Sequence, residues 1–392
     1  MNRKLAILIA PLLIALILMS LFLAINWFNN QTAGRQFYVG VEYAYGNNQT
    51  AQTQVNQIQA LVDKVKDYTN LFVMGSLGLT FDRTALSEAC DYIFNAKLNF
   101  IVLFTGLDMY SYNITEWMQD AKLKYGDRFL GIYRYDEPGG NQLDNGISQL
   151  INKTIVSSDA TYANVSKKFT DTLAFFPNYY LQFSPNVFTA DYGLYWFDYK
   201  SNYTSIFAEF VGNESRQRHI GLCRGAADSF GRDWGVIVTW KYSFQPPYLE
   251  SGNELYTDLS LAYSSGAKYA VVFSYPAYLD NNQYGILQDE HFKALQEFWN
   301  TLHNNPASFG SNKAEVAYIV PKDYGFGFRS PTDTIWGLKP SDALSSKIFY
   351  DTNNILPSRY GSHFDILYDE SEVIAPLLKN YTAVYYWNQT IP

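Results

Sequence analysis

The stretch Asn186-Val-Phe-Thr-Ala-Asp191-Tyr-Gly-Leu-Tyr195-Trp-Phe-Asp-Tyr-Lys200-Ser-Asn-Tyr-Thr-Ser205-Ile-Phe-Ala-Glu209-Phe210 decides how the chain is read. Taken as one aromatic strand over Leu194 to Tyr199, it leaves seven strands in the first 305 residues. Taken as a strand (Asn186 to Asp191), a short helical crossing (Tyr192 to Lys200) and another strand (Ser205 to Phe210), it makes eight.

On either side, short apolar runs alternate with amphipathic stretches, as in repeated strand and helix units. The other six strands read Phe37 to Tyr43, Leu71 to Gly75, Leu98 to Thr105, Phe129 to Tyr135, Trp234 to Trp240 and Lys268 to Ser274, with the fifth and sixth supplied by the deciding stretch. Helical patterns follow the strands, and after Asp136-Glu137-Pro138-Gly139-Gly140 a long helical insertion runs to about Phe176. Eight such units over about 270 residues predict an α/β fold, a (β/α)8 TIM barrel spanning 37–305. An open doubly wound sheet is disfavoured because no G-x-G-x-x-G or phosphate loop follows any strand. Beyond Asn304-Asn305-Pro306 the pattern restarts, with strands at Ala314 to Val320, Phe364 to Tyr368 and Ala383 to Trp387. This predicts a small Rossmann-like α/β domain over 312–392.

At the other end, Leu5 to Phe28 is apolar except for Ser20 and Asn26. At 1.5 Å per residue a helix of that length exceeds the ~30 Å hydrocarbon core. An N-terminal transmembrane helix over 5–28 is therefore expected, followed by a polar linker over 29–36. Arg3 and Lys4 precede it and the next basic residue is Arg35, so the N-terminus is expected in the cytoplasm and the barrel outside the cell membrane. A cleaved signal peptide would have a shorter apolar region and a small-x-small site. Acceptor sequences for N-glycosylation begin at Asn30, Asn48, Asn113, Asn152, Asn164, Asn202, Asn213, Asn380 and Asn388. Nine is about twice the chance expectation of roughly four from the Asn, Ser and Thr content. That excess agrees with an extracellular glycoprotein. Cys90 and Cys223 are too few for a disulfide framework and are expected as unpaired buried thiols.

Of the 392 residues, 47% are hydrophobic and 17% aromatic, so disorder is excluded. The net charge of −8, with no basic cluster after residue 4, excludes a nucleic-acid partner. Four histidines without metal-like spacing argue against a zinc site, and no G-x-S-x-G elbow is present. No metal or cofactor is expected.

Chemistry in such a barrel collects at the C-terminal strand ends. There the sequence places Glu42, Asp108, Asp136, Glu137, Asp191, Glu209 and Lys241, among Tyr43, Tyr135, Trp240 and Tyr242. Carboxylate pairs with aromatic platforms suit sugars, because glycoside cleavage needs an acid and a carboxylate flanking the bond. Period-two alternation turns Glu42 and Glu209 inward and leaves Val39, Val41 and Tyr43 opposite Glu42. On the fourth strand it turns Leu130 and Ile132 toward the helices and Glu137 inward, with Asp136 the weaker of the adjacent pair.

The acidic Tyr135-Asp136-Glu137-Pro138 at the fourth strand resembles the acid position of TIM-barrel glycoside hydrolases. A barrel followed by a small α/β domain is similar to the β-galactosidase-type arrangement with a glutamine-amidotransferase-like, trimerisation-type domain. Many such enzymes carry Asn-Glu at the fourth strand, so the resemblance implies that Glu137 is the acid/base. Their second Glu lies on the seventh strand, but here that strand ends Val238-Thr239-Trp240-Lys241-Tyr242 without a carboxylate. Enzymes similar to α-galactosidases place the pair on the fourth and sixth strands, a geometry Glu209 would satisfy. The expected function is thus a membrane-anchored glycoside hydrolase or transglycosidase acting on oligo- or polysaccharide through Glu137 and Glu209. Glu42, Asp136, Asp191, Lys241, Tyr43, Tyr135, Trp240 and Tyr242 are expected to bind the sugar. A homo-oligomer through the C-terminal domain is also expected. The missing seventh-strand carboxylate keeps open an inactive barrel that binds glycans or envelope proteins.

Overall fold

The computed structural model describes residues 35–44, 49–106, 109–144, 149–157, 159–242 and 246–392. Eight parallel strands close a barrel in sequential order: β1 (Tyr38–Ala44), β2 (Leu71–Gly75), β3 (Asn99–Phe104), β4 (Phe129–Arg134), β5 (Val187–Asp191), β6 (Ser205–Phe210), β7 (Asp233–Val238) and β8 (Tyr269–Ser274), with β8 pairing back onto β1. Helices α1 (Ala51–Val65), α2 (Arg83–Asn95) and α3 (Ile114–Tyr125) connect the first four strands. Each starts where the sequence supplies a cap, at Thr50, Asp82 and Asn113, whose side-chain oxygens accept from first-turn N–H groups.

The insertion after β4 forms three short helices, α4 (Pro138–Leu143), α5 (Tyr162–Leu173) and α6 (Phe175–Tyr180). The deciding stretch forms β5, a six-residue helix α7 (Tyr195–Lys200) and β6, so the parse with eight strands holds. Helices α8 (Arg216–Phe230), α9 (Gly252–Ser264) and α10 (Asp289–Asn304) complete the ring.

Alternation puts Tyr38, Leu71, Val73, Ile101, Leu130, Tyr133, Phe188, Ala190, Phe207, Ile237, Tyr269 and Val271 into one apolar barrel core. Leu130 is a correction to the expectation that it faces the helices. Phe100 pairs with Phe129 and Ile101 with Gly131, so β4 carries one extra residue, a bulge that resets the alternation. Gly131 takes φ +140, and a Cβ there would lie 2.3 Å from the Asn186 carbonyl oxygen, so only glycine fits.

The chain continues into β9 (Val316–Val320), α11 (Ala343–Tyr350), α12 (Leu356–Tyr360), β10 (Phe364–Tyr368), α13 (Ser371–Leu378) and β11 (Ala383–Tyr386). The three strands make a parallel sheet in the order β10-β9-β11. This small sheet lies on α8. Gly221 and Gly225, one turn apart on that helix, leave room for Phe364 and for the Ile366 carbonyl. Between them Arg224 reaches across, its Nε 2.8 Å from Asp365 and its other nitrogens on the carbonyls of Ser362, Phe364, Asn312 and Ser265. The aromatics of α7 fill the seam: Trp196 meets Phe230 and Tyr368, and Phe197 meets Trp336 and Tyr368.

Among the described residues no helix is long and apolar enough to cross a membrane. The expected anchor, 5–28, and nearly all of the linker lie outside them, as do Asn30, Asn48 and Asp108. Cys90 and Cys223 are buried and unpaired.

Candidate active site

At the C-terminal mouth of the barrel a cleft of about 350 Å³ opens between the strand ends. Glu42 of β1 and Glu209 of β6 reach it from the inner faces of their strands, as alternation requires. Asp136 and Glu137 reach it from the turn after β4. Both residues flanking Asp136 hold left-handed backbone, Tyr135 at φ 61 and Glu137 at φ 50. Such conformations cost on the order of 1–3 kcal/mol each in a non-glycine residue and persist only where the surroundings over-determine them.

Those surroundings come from the next strand and its turn. The Thr189 hydroxyl donates to the Tyr135 carbonyl at 2.6 Å, and the Glu137 N–H donates to the Ala190 carbonyl at 3.0 Å. Asn141 donates back to the Glu137 and Asp136 carbonyls at 2.9 and 3.1 Å. Asp191 accepts from the N–H groups of Gly139 (2.5 Å), Gly140 (2.8 Å), Tyr192 (2.7 Å) and Gly193 (3.0 Å). The carboxylate of Asp191 therefore fastens the start of α4, directly behind Glu137.

Burial dominates the electrostatics. The Glu42 carboxyl is pushed up to about 8 by enclosure and by the neighbouring Asp136. Glu137 is likewise pushed up to about 8, by burial first and then by Asp136 and Asp191. Glu209 is raised well above the ordinary carboxylate range by burial first and then by the neighbouring Glu137. Asp136, open to the cleft yet surrounded by protein, is also raised by burial, against a hydrogen bond from the Tyr133 hydroxyl that favours its ionised form. The Tyr133 oxygen in turn accepts from the Ala190 N–H at 3.0 Å.

The cleft brings together Glu42, Asp136, Glu137, Glu209, Tyr135 and Trp240 of the expected residues. Tyr135 stacks on Phe176 at 5.3 Å, and Trp240 packs edge-on against Phe273 and Tyr275 at 5.1 and 5.4 Å. Four expected residues lie elsewhere. Asp191 stands on the outer face of β5, because Phe188 and Ala190 take the inner one. Tyr43 also faces outward, its hydroxyl donating to Gln57 of α1 at 2.5 Å. Lys241 pairs with Glu254 in a separate pocket with Arg216, Glu250 and Asp258. Tyr242 beside it is exposed and does not line the cleft. Among the polar residues lining the cleft, Thr105, Tyr133, Arg134, Thr239 and Tyr275 are not among the binding groups expected from sequence.

No family model matches the chain, and neither does any curated protein. Among solved structures, GH5_18 from Bifidobacterium longum subsp. longum is similar, with a TM-score of 0.50 at 9% identity, covering 90% of this chain and 98% of that one. An endo-1,4-beta-mannanase from Eisenia fetida covers 70% of this chain and 92% of its own at 10% identity and a TM-score of 0.44. A GH113 beta-1,4-mannanase covers 68% and 99% at 8% identity, with the same TM-score of 0.44. The fold is a TIM barrel. Identities this low establish the shared fold alone, and function must be argued from the site.

Proposed function

We propose that the protein is a glycoside hydrolase that cleaves oligo- or polysaccharide with Glu137 and Glu209. The observation that carries this reading is the placement of both buried carboxyls in one cleft at the barrel mouth, close enough for Glu137 to raise the Glu209 carboxyl. Two carboxyls so close hold one proton between them, which presents one acid and one carboxylate to the same bond. Glu137 acts as the acid: it protonates the leaving glycosidic oxygen while Glu209 attacks the anomeric carbon, and that carbon–oxygen bond breaks. Glu137, now ionised, takes a proton from water, whose oxygen displaces Glu209 and releases the sugar.

The test is a glycan panel assayed with wild type, Glu137→Gln and Glu209→Gln. Each substitution is expected to lower sugar release by roughly 10²–10⁴-fold. Unchanged release in both variants would sink the assignment, and binding without any hydrolysis would favour the inactive glycan-binding barrel.

The location is proposed on separate grounds. The apolar 5–28 segment supports an anchor with the barrel outside the cell. Among the described acceptor asparagines, Asn113, Asn164, Asn213, Asn380 and Asn388 are exposed, while Asn152 and Asn202 are half-buried, which leaves each within reach of modification. Enzymatic removal of N-glycans should reduce the mass of the protein isolated from its host. Assembly through the C-terminal domain is part of the same proposal and is checked by the mass of the detergent-solubilised chain.

A further inference from the structure

A second cavity stands at the mouth of the barrel beside the cleft. It encloses about 360 Å³, within the ~300–1,000 Å³ range of small-ligand sites. Pro247, Tyr248, Tyr278, Ile286 and His291 are among its walls, supplied by the chain that follows β7 and β8. Both segments leave the C-terminal ends of their strands, the end at which the cleft also lies. The first folds back on itself, because the N–H groups of Lys241 and Tyr242 both donate to the Tyr248 carbonyl, at 2.8 and 3.1 Å. The second is fastened to β8: the Ser274 hydroxyl donates to the Tyr284 carbonyl at 2.8 Å, and Gly285, at φ +69, leaves room for the Tyr275 carbonyl oxygen, 2.7 Å from where a Cβ would stand. One aromatic cluster joins the two spaces. Trp240 and Tyr275 line the cleft, while Tyr248 and Tyr278 line the second cavity. Tyr248 and Tyr278 lie parallel with centroids 4.6 Å apart. Tyr278 meets Tyr275 at 5.5 Å and Trp240 at 6.2 Å, and Tyr248 meets Trp240 at 5.9 Å. These rings are not sealed in a core: Tyr278 is 39% exposed and Tyr248 half-buried. Contiguous rings left open to water mark a contact surface.

We propose that this cavity is a distal sugar subsite, and that the substrate is a neutral chain running from the cleft over Trp240 and Tyr278 into it. Sugar rings present flat faces of C–H bonds that pack on aromatic rings, and their hydroxyls stay at the edges for water or for the phenol oxygens of tyrosine. Two of the cavity's polar side chains are already engaged. His291 accepts from the Gln288 N–H at 2.9 Å and meets the Glu250 carbonyl at 2.8 Å, and Asn282 holds the Tyr284 N–H and the Leu287 carbonyl. No Asp, Glu, Lys or Arg is among the described lining residues. A charged chain would lose hydration there without gaining a counter-charge, whereas a neutral one would not. Continuity favours a sugar chain over any other occupant, because the four rings form one run from the wall of the cleft to the wall of the cavity.

This inference deepens the glycosidase reading and rests on it for the identity of the ligand as a sugar, so its test reads binding apart from hydrolysis. The full chain in detergent, carrying Glu137→Gln so that the ligand is not consumed, is titrated calorimetrically with the disaccharide-to-hexasaccharide series of β-1,4-glucan, β-1,4-mannan and α-1,4-glucan. In the series that binds, affinity is expected to rise at least tenfold once the chain is long enough to reach both cavities. Tyr278→Ala and Tyr248→Ala should each remove most of that gain while leaving the disaccharide's affinity unchanged. Tyr278→Phe, which keeps the ring, should preserve it. No gain with chain length in any series overturns the proposal. So does a Tyr278→Ala loss that falls equally on short and long chains, which marks a structural role, and so does Tyr278-dependent binding to phosphatidylcholine vesicles without a chain-length gain. Hydrolysis of short and long chains by the wild type at equal kcat/KM would remove the subsite and leave the glycosidase standing. A chain-length gain in binding without hydrolysis by the wild type would do the reverse.

Discussion

Glu42, Asp136, Glu137 and Glu209 share one cleft, and a low-dielectric pocket holds four like charges only at great cost. The site therefore keeps protons at pH values where free carboxyls have lost them. For activity, Glu137 as the acid must be protonated, and with its carboxyl pushed up to about 8, kcat/KM is expected to fall as pH rises through about 8. A flat profile between pH 6 and 9 would rule out Glu137 as the proton donor. For stability the sign is the same. Glu42 holds its proton to about 8 in the folded chain and only to about 4.5 unfolded, so its contribution is complete below about 4.5 and is lost as pH rises to 8. Glu42→Gln should therefore raise Tm at pH 9 by about 2 °C or more relative to wild type, with little difference at pH 4. Equal melting shifts at both pH values would count against a buried proton on Glu42.

At the scale of elements, the turn after β4 depends on the strand beside it. Removing the Asp191 carboxylate with Asp191→Ala strips the acceptor from four N–H groups, those of Gly139, Gly140, Tyr192 and Gly193. A loss of about 3 kcal/mol in stability is expected, together with at least a tenfold fall in kcat as Glu137 loses its support. An Asp191→Ala enzyme with unchanged kcat would mean that the turn holds itself. The same region shows what alternation can and cannot tell. Glu42 and Glu209 were legible because β1 and β6 are regular, so a period of two places every side chain. On β4 the bulge at Leu130 and Gly131 breaks that period, and its one local mark is Gly131 inside the strand. Asp191 was nominated for its closeness to the strand end, although Phe188 and Ala190 on the same strand already claimed the inner face. Lys241 and Tyr242 lie past Val238, where β7 has ended and alternation no longer applies.

At the scale of the molecule, the small sheet is bound to the barrel by buried groups. Asp365→Ala would leave Arg224 enclosed without its carboxylate, a change expected to cost about 3–5 kcal/mol. Because Arg224 ties both parts together, the chain should melt in one calorimetric transition, and the variant should lower that single transition. Two separate transitions in wild type would show that the parts fold independently. The loop between β9 and α11 extends the coupling toward the cleft. Gln142 of α4 donates to the Trp336 carbonyl at 2.8 Å, the Thr334 hydroxyl donates to the Leu143 carbonyl at 3.1 Å, and Arg329 holds Asp144 at 2.5 Å. The segment between β9 and α11 thus braces the helix that Glu137 caps.

That seam also carries its own optical reporter. Trp196 and Trp336, both fully buried, sit on the two sides of the junction, one against Tyr368 and the other against Phe197. Their indoles are shielded from water only while the small sheet is docked, so their fluorescence should be blue-shifted in the native chain. Separation of the sheet from the barrel would move that emission toward the red, and an unlabelled protein would register the event.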